Sequence, residues 1–218
     1  IFLFRSCFFF TIAVISACTL TQAQTCSTFG SSAFSAATAQ DTALLRVVSC
    51  APYFACEDYG NSQKVTVMKY SGGTWAPLGT AGFTAGSAQY VSMALGANDT
   101  PYVAYMDGAS GYFGSVMKFD GTNWVTVGSA GFTGAMVQFV SLAMDGSGTP
   151  YVAFQDHSHS DKVTVMKFDG SSWVYVGAVG FTSTFGQDID RTISSAGTPY
   201  VVYTNGSLTT VMNFDGTN

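Results

Sequence analysis

Residues Gly128–Val176 read GSAGFTGAMVQFVSLAMDGSGTPYVAFQDHSHSDKVTVMKFDGSSWVYV, and most of the chain is a set of copies of this run. Trp75, Trp124 and Trp173 stand 49 residues apart, and Pro52, Pro101, Pro150 and Pro199 keep the same interval. So do Phe34, Phe83, Phe132 and Phe181. Met68, Met117 and Met166 follow it, but Met212 arrives 46 residues later. The fourth copy therefore lacks three residues between Tyr203 and Thr209. A fixed period near 50 residues marks a repeat architecture in which each copy is one supersecondary unit. The copies divide as 30–78, 79–127, 128–176 and 177–218.

Each copy contains four short runs suited to a pleated surface, rich in Val, Tyr, Phe and Thr. In the third copy they are Phe139–Met144, Pro150–Gln155, Val163–Phe168 and Trp173–Val176, here called a, b, c and d. Asp145-Gly146-Ser147-Gly148 separates a from b, and Asp169-Gly170-Ser171-Ser172 separates c from d, which is turn chemistry. No stretch beyond residue 25 carries a helical apolar period. In strand c, Val163 and Val165 face one way, and Thr164, Met166 and Phe168 the other. Both faces are largely apolar, so both need covering. A four-stranded antiparallel sheet covered on both faces and repeated in series is the blade of a β-propeller, an all-β fold. The sequence predicts about three and three-quarter blades, an incomplete propeller, because the last copy stops at Asn218, one residue before its expected Trp.

The layout resembles the kelch and galactose-oxidase-type propellers. The shared features are the aromatic second strand (Tyr151-Val152-Ala153-Phe154), a variable loop, and a third strand ending in an aromatic before a short turn and Trp173. It departs from kelch where a double glycine would follow strand b. Glu57-Asp58, Met106-Asp107, Gln155-Asp156 and Thr204-Asn205 stand there instead. Asp120-Gly121-Thr122-Asn123-Trp124 and Asp169-Gly170-Ser171-Ser172-Trp173 also resemble sialidase Asp boxes, each with one residue fewer. That resemblance implies a structural turn and no chemistry.

Only 10% of the 218 residues are charged, against about 25% in an average chain. Disorder needs the opposite composition. Lys and Arg number 8 against 13 Asp and Glu, a net charge of -5, so no basic footprint for nucleic acid exists. Residues 1–17 form an apolar run broken only by Arg5, followed by polar Thr19–Gln24. This pattern predicts a signal peptide over 1–24, with the propeller over 25–218, and hence a secreted or cell-surface protein. A weaker alternative is lipidation of Cys18 within Ile15-Ser16-Ala17-Cys18; membrane attachment is expected only through such a lipid anchor or a missing C-terminal region. Among the remaining cysteines, Cys50 and Cys56 are too far apart along one strand to join. Cys26 could pair with either, or all three could be buried thiols.

Catalytic signatures are sparse. There is no G-x-S-x-G elbow, phosphate-binding glycine loop or EF-hand run, and no cofactor is expected. Arg46 and Arg191 alone cannot form a sialidase-like arginine triad. His157, His159 and Asp161 could in principle ligate a metal, but they occur in one copy and read better as a polar loop. The polar residues that recur are Gln40, Gln89, Gln138 and Gln187 at the start of strand a, and Asp58, Asp107, Asp156 and Asn205 at the end of strand b. Antiparallel pairing puts both sets at one end of every blade. They are candidate ligand contacts. They could equally be structural, as Asx turns and backbone partners needed by each blade. The phenylalanine set reads as plugs between blades and the tryptophans as core. The function expected is binding or adhesion toward a glycan or a protein. The alternatives are a sialidase-like or galactose-oxidase-like enzyme, or a structural spacer.

Overall fold

The computed structural model describes residues 35, 37–46, 52–194 and 197–216. The 1–24 segment, Cys18, Cys26, Cys50 and Phe34 lie outside these. Three sheets have four strands, and each runs in chain order. The first contains β1 (Ala39–Arg46), β2 (Pro52–Asp58), β3 (Lys64–Ser71) and β4 (Thr74–Pro77). The second contains β5 (Ala88–Leu95), β6 (Pro101–Asp107), β7 (Phe113–Phe119) and β8 (Trp124–Thr126). The third contains β9 (Val137–Met144), β10 (Pro150–Asp156), β11 (Lys162–Phe168) and β12 (Trp173–Tyr175). The fourth sheet has three strands, β13 (Gln187–Ile193), β14 (Pro199–Thr204) and β15 (Thr209–Asn213). All pairings are antiparallel.

The first strands are neighbours in series: β1 against β5, β5 against β9, β9 against β13. They are the inner strands of successive blades, which gives the architecture of a β-propeller, here an arc of it. Strand a starts two residues earlier than the period suggests, at Val137 and not Phe139, because an irregularity lets pairing resume beyond it.

Three apolar clusters lie between the sheets, and alternate residues of one strand serve different clusters. Tyr151 and Ala153 of β10 pack toward the fourth sheet with Val163 and Val165. Val152 and Phe154 pack toward the second sheet with Met166 and Phe168. Full burial of side chains this size is worth about 1.5–3 kcal/mol each, so the inter-blade contacts are the main source of stability. The low charge follows from this two-sided burial.

The linker between blades docks by one recurring device. In Gly82-Phe83-Thr84, the Thr84 hydroxyl donates to Gly86 O (2.8 Å) and accepts from Val65 N (3.2 Å). Thr133 and Thr182 repeat both bonds. Phe83 stacks on Trp124 of the next blade, with centroids 4.3 Å apart and planes at 6°. Phe132 does the same on Trp173, at 4.1 Å and 14°. The indole N–H groups donate to Leu78 O and Val127 O, at 2.8 and 2.9 Å. Phe83 and Phe132 are therefore inter-blade plugs, and Trp124 and Trp173 are their partners.

The Asp-Gly turns behave as structural turns. Asp169 accepts from Ser171 N and Ser172 N at 2.9 and 2.8 Å, and Gly170 has φ 104°. Backbone donors from Ser172 and Ser171 hold its carboxyl down at about 2. Asp120 makes the same pair of bonds to Thr122 N and Asn123 N.

Candidate functional site

The polar sets do meet at one end of the blades. Gln40 pairs with Glu57 and Ala39 with Asp58; Gln89 pairs with Met106 and Ala88 with Asp107. Gln138 pairs with Gln155 and Val137 with Asp156, and Gln187 pairs with Thr204. The b–c loops and the linkers share this end.

The aspartates are committed to holding the loops. Asp58 caps a single 3-10 turn, Tyr59–Asn61, accepting from Gly60 N (2.9 Å), Asn61 Nδ2 (2.8 Å) and Thr66 Oγ1 (2.7 Å). Asp107 takes Ala109 N, Ser110 Oγ and Ser115 Oγ. Asp156 takes Ser158 N, His159 Nδ1 and Thr164 Oγ1. Burial pushes the Asp156 carboxyl up, but donors from Ser158, His159 and Thr164 outweigh it and hold it below the usual range. Thr66, Ser115 and Thr164 in turn accept from Gly82 N, Gly131 N and Gly180 N, so each Asp fixes both its loop and the following linker. In the shortened fourth copy, Asn205 closes a tight turn by accepting from Ser207 N and Leu208 N.

Gln40 and Gln89 are exposed, and Gln138 and Gln187 are half-buried. Gln40 Oε1 accepts from Tyr59 Oη at 3.1 Å.

The residue after each Gln is one that sequence reasoning passed over. Asp41, Tyr90, Phe139 and Asp188 occupy one repeat position, and all have positive φ, from 44° to 52°. Each coincides with a register shift in the inner strand, a β-bulge. Bulky residues rarely adopt this left-handed conformation, which costs roughly 1–2 kcal/mol. Four copies hold it with four non-glycine side chains, so the backbone form is common while the chemistry varies. The four bulges lie side by side on adjacent inner strands. Asp41 Oδ2 accepts from Tyr90 N at 2.6 Å across the first blade boundary. Tyr90 and Phe139 rings lie 5.2 Å apart across the second. Asp188 Oδ2 accepts from Thr204 Oγ1 at 3.4 Å. The result is a row of two aromatic rings flanked by two carboxylates, beside the Gln row.

Beneath this row, Glu57 is only 2% exposed, and its Oε1 has no hydrogen-bond partner among the described residues. Burial, with Asp41 adding to it, pushes its carboxyl up to about 7. The equivalent Gln155 donates from Nε2 to Gly186 O at 2.8 Å. Lower on the inner strands, Arg191 replaces the Leu142 of the previous copy. Its Nη1 donates to Ser141 Oγ (2.7 Å) and Asp190 Oδ1 (3.2 Å), and burial pulls it down to about 10. Arg191 is thus engaged within the blade boundary. His157 pairs with Asp161 at 2.9 Å and His159 with Asp156 at 2.8 Å. Among the described residues, no three His, Cys, Asp or Glu side chains gather to hold a metal. Cys56 is a free buried thiol donating to Thr66 O, and burial pushes it up to about 12. No helix among the described residues is long and apolar enough to cross a membrane.

No protein-family model and no curated protein matches the chain. Solved structures do. A fucose-specific lectin from Aleuria aurantia superposes with TM-score 0.58 at 15% identity, over 81% of this chain and 58% of the lectin. A polysaccharide lyase described as an ulvan lyase gives TM-score 0.55 at 13% identity, over 80% and 52%. A protein of unknown function from Dyadobacter fermentans gives 0.54 at 15%, over 83% and 62%. The chain thus spans between about half and three-fifths of these structures. At such identities the likeness concerns the fold, which is of propeller type.

Proposed function

We propose that the chain is part of an extracellular glycan-binding propeller, with the sugar lying along the bulge row at the linker end of the inner strands. The observation that carries this reading is the strained position shared by Asp41, Tyr90, Phe139 and Asp188. Backbone strain maintained in every copy, with side chains that differ, suits a surface whose job varies by position. Two aromatic rings offer apolar area for the C–H face of a pyranose, and carboxylates accept its hydroxyls. Gln40, Gln89, Gln138 and Gln187 add adjustable amide contacts, while Asp58, Asp107, Asp156 and Asn205 hold the loops around them. The similar fold of a fucose-specific lectin agrees with a sugar ligand. The signal-like 1–24 segment and the kelch-like or Asp-box-like repeat agree with an extracellular propeller.

A glycan array probed with the full chain tests this. Saturable binding to a defined set of sugars is expected, and Gln138→Ala and Asp188→Asn should each weaken it several-fold with the unfolding midpoint unchanged. A silent array, or binding indifferent to these two changes and to Tyr90→Ala, overturns the reading.

A further inference from the structure

The position held by Glu57 is filled differently at each boundary between blades. Glu57 lies on the face of β2 that carries Tyr53 and Ala55, which pack with Ala88 and Val91 of the second blade. One repeat on, Met106 is buried in the apolar cluster between the second and third blades. Two repeats on, Gln155 donates from Nε2 to Gly186 O at 2.8 Å. Two periods before Gly186 stands Ala88. The backbone is alike at both places, since Gly186 N donates to Asp161 O and Ala88 N to Gln63 O, at 2.9 and 2.8 Å. The boundary between the first and second blades thus sets the Ala88 carbonyl where a side-chain donor would serve. An ionised carboxylate has no hydrogen to give, and a protonated one has. The Glu57 Oε1 is buried with no hydrogen-bond partner among the described residues, a state that buried polar atoms rarely keep.

Of the elements packed on β2, β1 brings Asp41, which the bulge between Gln40 and Ala43 leaves outside the paired residues. From β3, Lys64 stands opposite Asp58; Lys69 and Arg46 stand opposite Tyr53 and Pro52 at the far end of β2. β5 has no Asp, Glu, Lys, Arg or His, and Tyr90 is its one titratable side chain. The 3-10 turn brings Tyr59, whose hydroxyl donates to Gln40. Asp41 is the charge that adds to burial in pushing the Glu57 carboxyl up to about 7. Asp41 also accepts from Tyr90 N at 2.6 Å, which ties the first inner strand to the bulge of the second.

We propose that Glu57 is a proton-operated latch on the Asp41–Tyr90 contact. With its proton, Glu57 donates to Ala88 O as Gln155 donates to Gly186 O, and the first two blades are tied both at Ala88 and at Tyr90. When the proton leaves to solvent, the Ala88 bond is lost and two neighbouring carboxylates repel each other. The repulsion loosens Asp41 from Tyr90 N. Asp41 and Tyr90 belong to the bulge row, so a sugar lying there is held better on the acid side of neutrality. That consequence rests on the glycan reading, whereas the latch itself does not.

Hydrogen exchange of the full chain at about pH 5.5 and about pH 8, corrected for the intrinsic pH dependence of exchange, tests the latch. Segment 88–92 is compared with 137–141, the same positions one repeat on, where Met106 stands in place of Glu57 and cannot titrate. Protection of 88–92 relative to 137–141 should fall at least about fivefold from the acid to the alkaline condition. Glu57→Gln keeps a donor at every pH and should abolish the fall. Asp41→Asn keeps an acceptor for Tyr90 N but removes the repelling charge, so it should make the fall smaller, and it serves where Glu57→Gln does not fold. A constant ratio in the unaltered chain, a fall that persists in Glu57→Gln, or one untouched by Asp41→Asn overturns the inference. Exchange is read without any sugar, so failure of the latch is distinct from failure of the glycan reading.

Discussion

At the scale of single residues, Glu57 is a carboxylic acid where the third copy has Gln155. Its pKa in the fold, about 7, lies above the ordinary 4.5. Between these values the folded chain holds a proton that the unfolded chain has released, so stability falls as pH rises through this window. The acid side runs the other way. Asp58 and Asp156 are held below the usual range, so their contribution is present above about pH 4 and is lost as pH falls further. Denaturant midpoints measured from pH 4 to 8 should therefore decline toward pH 8, and Glu57→Gln should flatten that limb while leaving the acid limb alone. Asp58, Asp107 and Asp156 were legible as Asx-type residues because their side-chain chemistry is local. The state of Glu57 was not, because Asp41, which helps raise it, comes from another strand. Left-handed residues divide in the same way. Gly111 marks the position in the second copy, and Ser62 and Ser160 occupy it elsewhere at φ 59° and 58°. Ser160→Gly should stabilise the fold by about 1 kcal/mol by removing that strain, read as a raised urea midpoint.

At the scale of elements, the strands were read nearly whole, because alternation and Asp-Gly turns are local signals. Strand a was the exception. Its bulge puts Tyr90 and Phe139 in a conformation that neither residue type advertises, so the pairing at Val137 went unread. The linker is the element on which inter-blade order depends most. Trp124 is buried, stacked on Phe83 and bonded through its indole to Leu78 O. Trp124→Ala should cost about 3–5 kcal/mol and remove much of the near-ultraviolet dichroism, a larger effect than any single change in a b–c loop. Phe83→Leu removes the stacked face but keeps apolar volume, so a smaller loss is expected in the same measurement.

At the scale of the whole molecule, the period alone announced that blades would neighbour one another in order, since each must bury both faces. The ligand was not legible, because the row that suits one exists only once four inner strands stand side by side. Protection should vary across each blade. In the second and third blades β6 and β10 have hydrogen-bonded neighbours on both sides, whereas β8 and β12 have one. Hydrogen exchange should therefore be slower in β6 and β10 than in β8 and β12, and uniform protection would contradict this account. The stacking of linker on tryptophan carries a further consequence. The second and third copies each bring a hook, Trp124 or Trp173, and an eye, Gly82-Phe83-Thr84 or Gly131-Phe132-Thr133, and each such pair spans one blade boundary. A tandem duplication of either 49-residue unit would arrive with both halves already matched. Copy number in such a chain is therefore open to change by recombination without any new contact having to be invented.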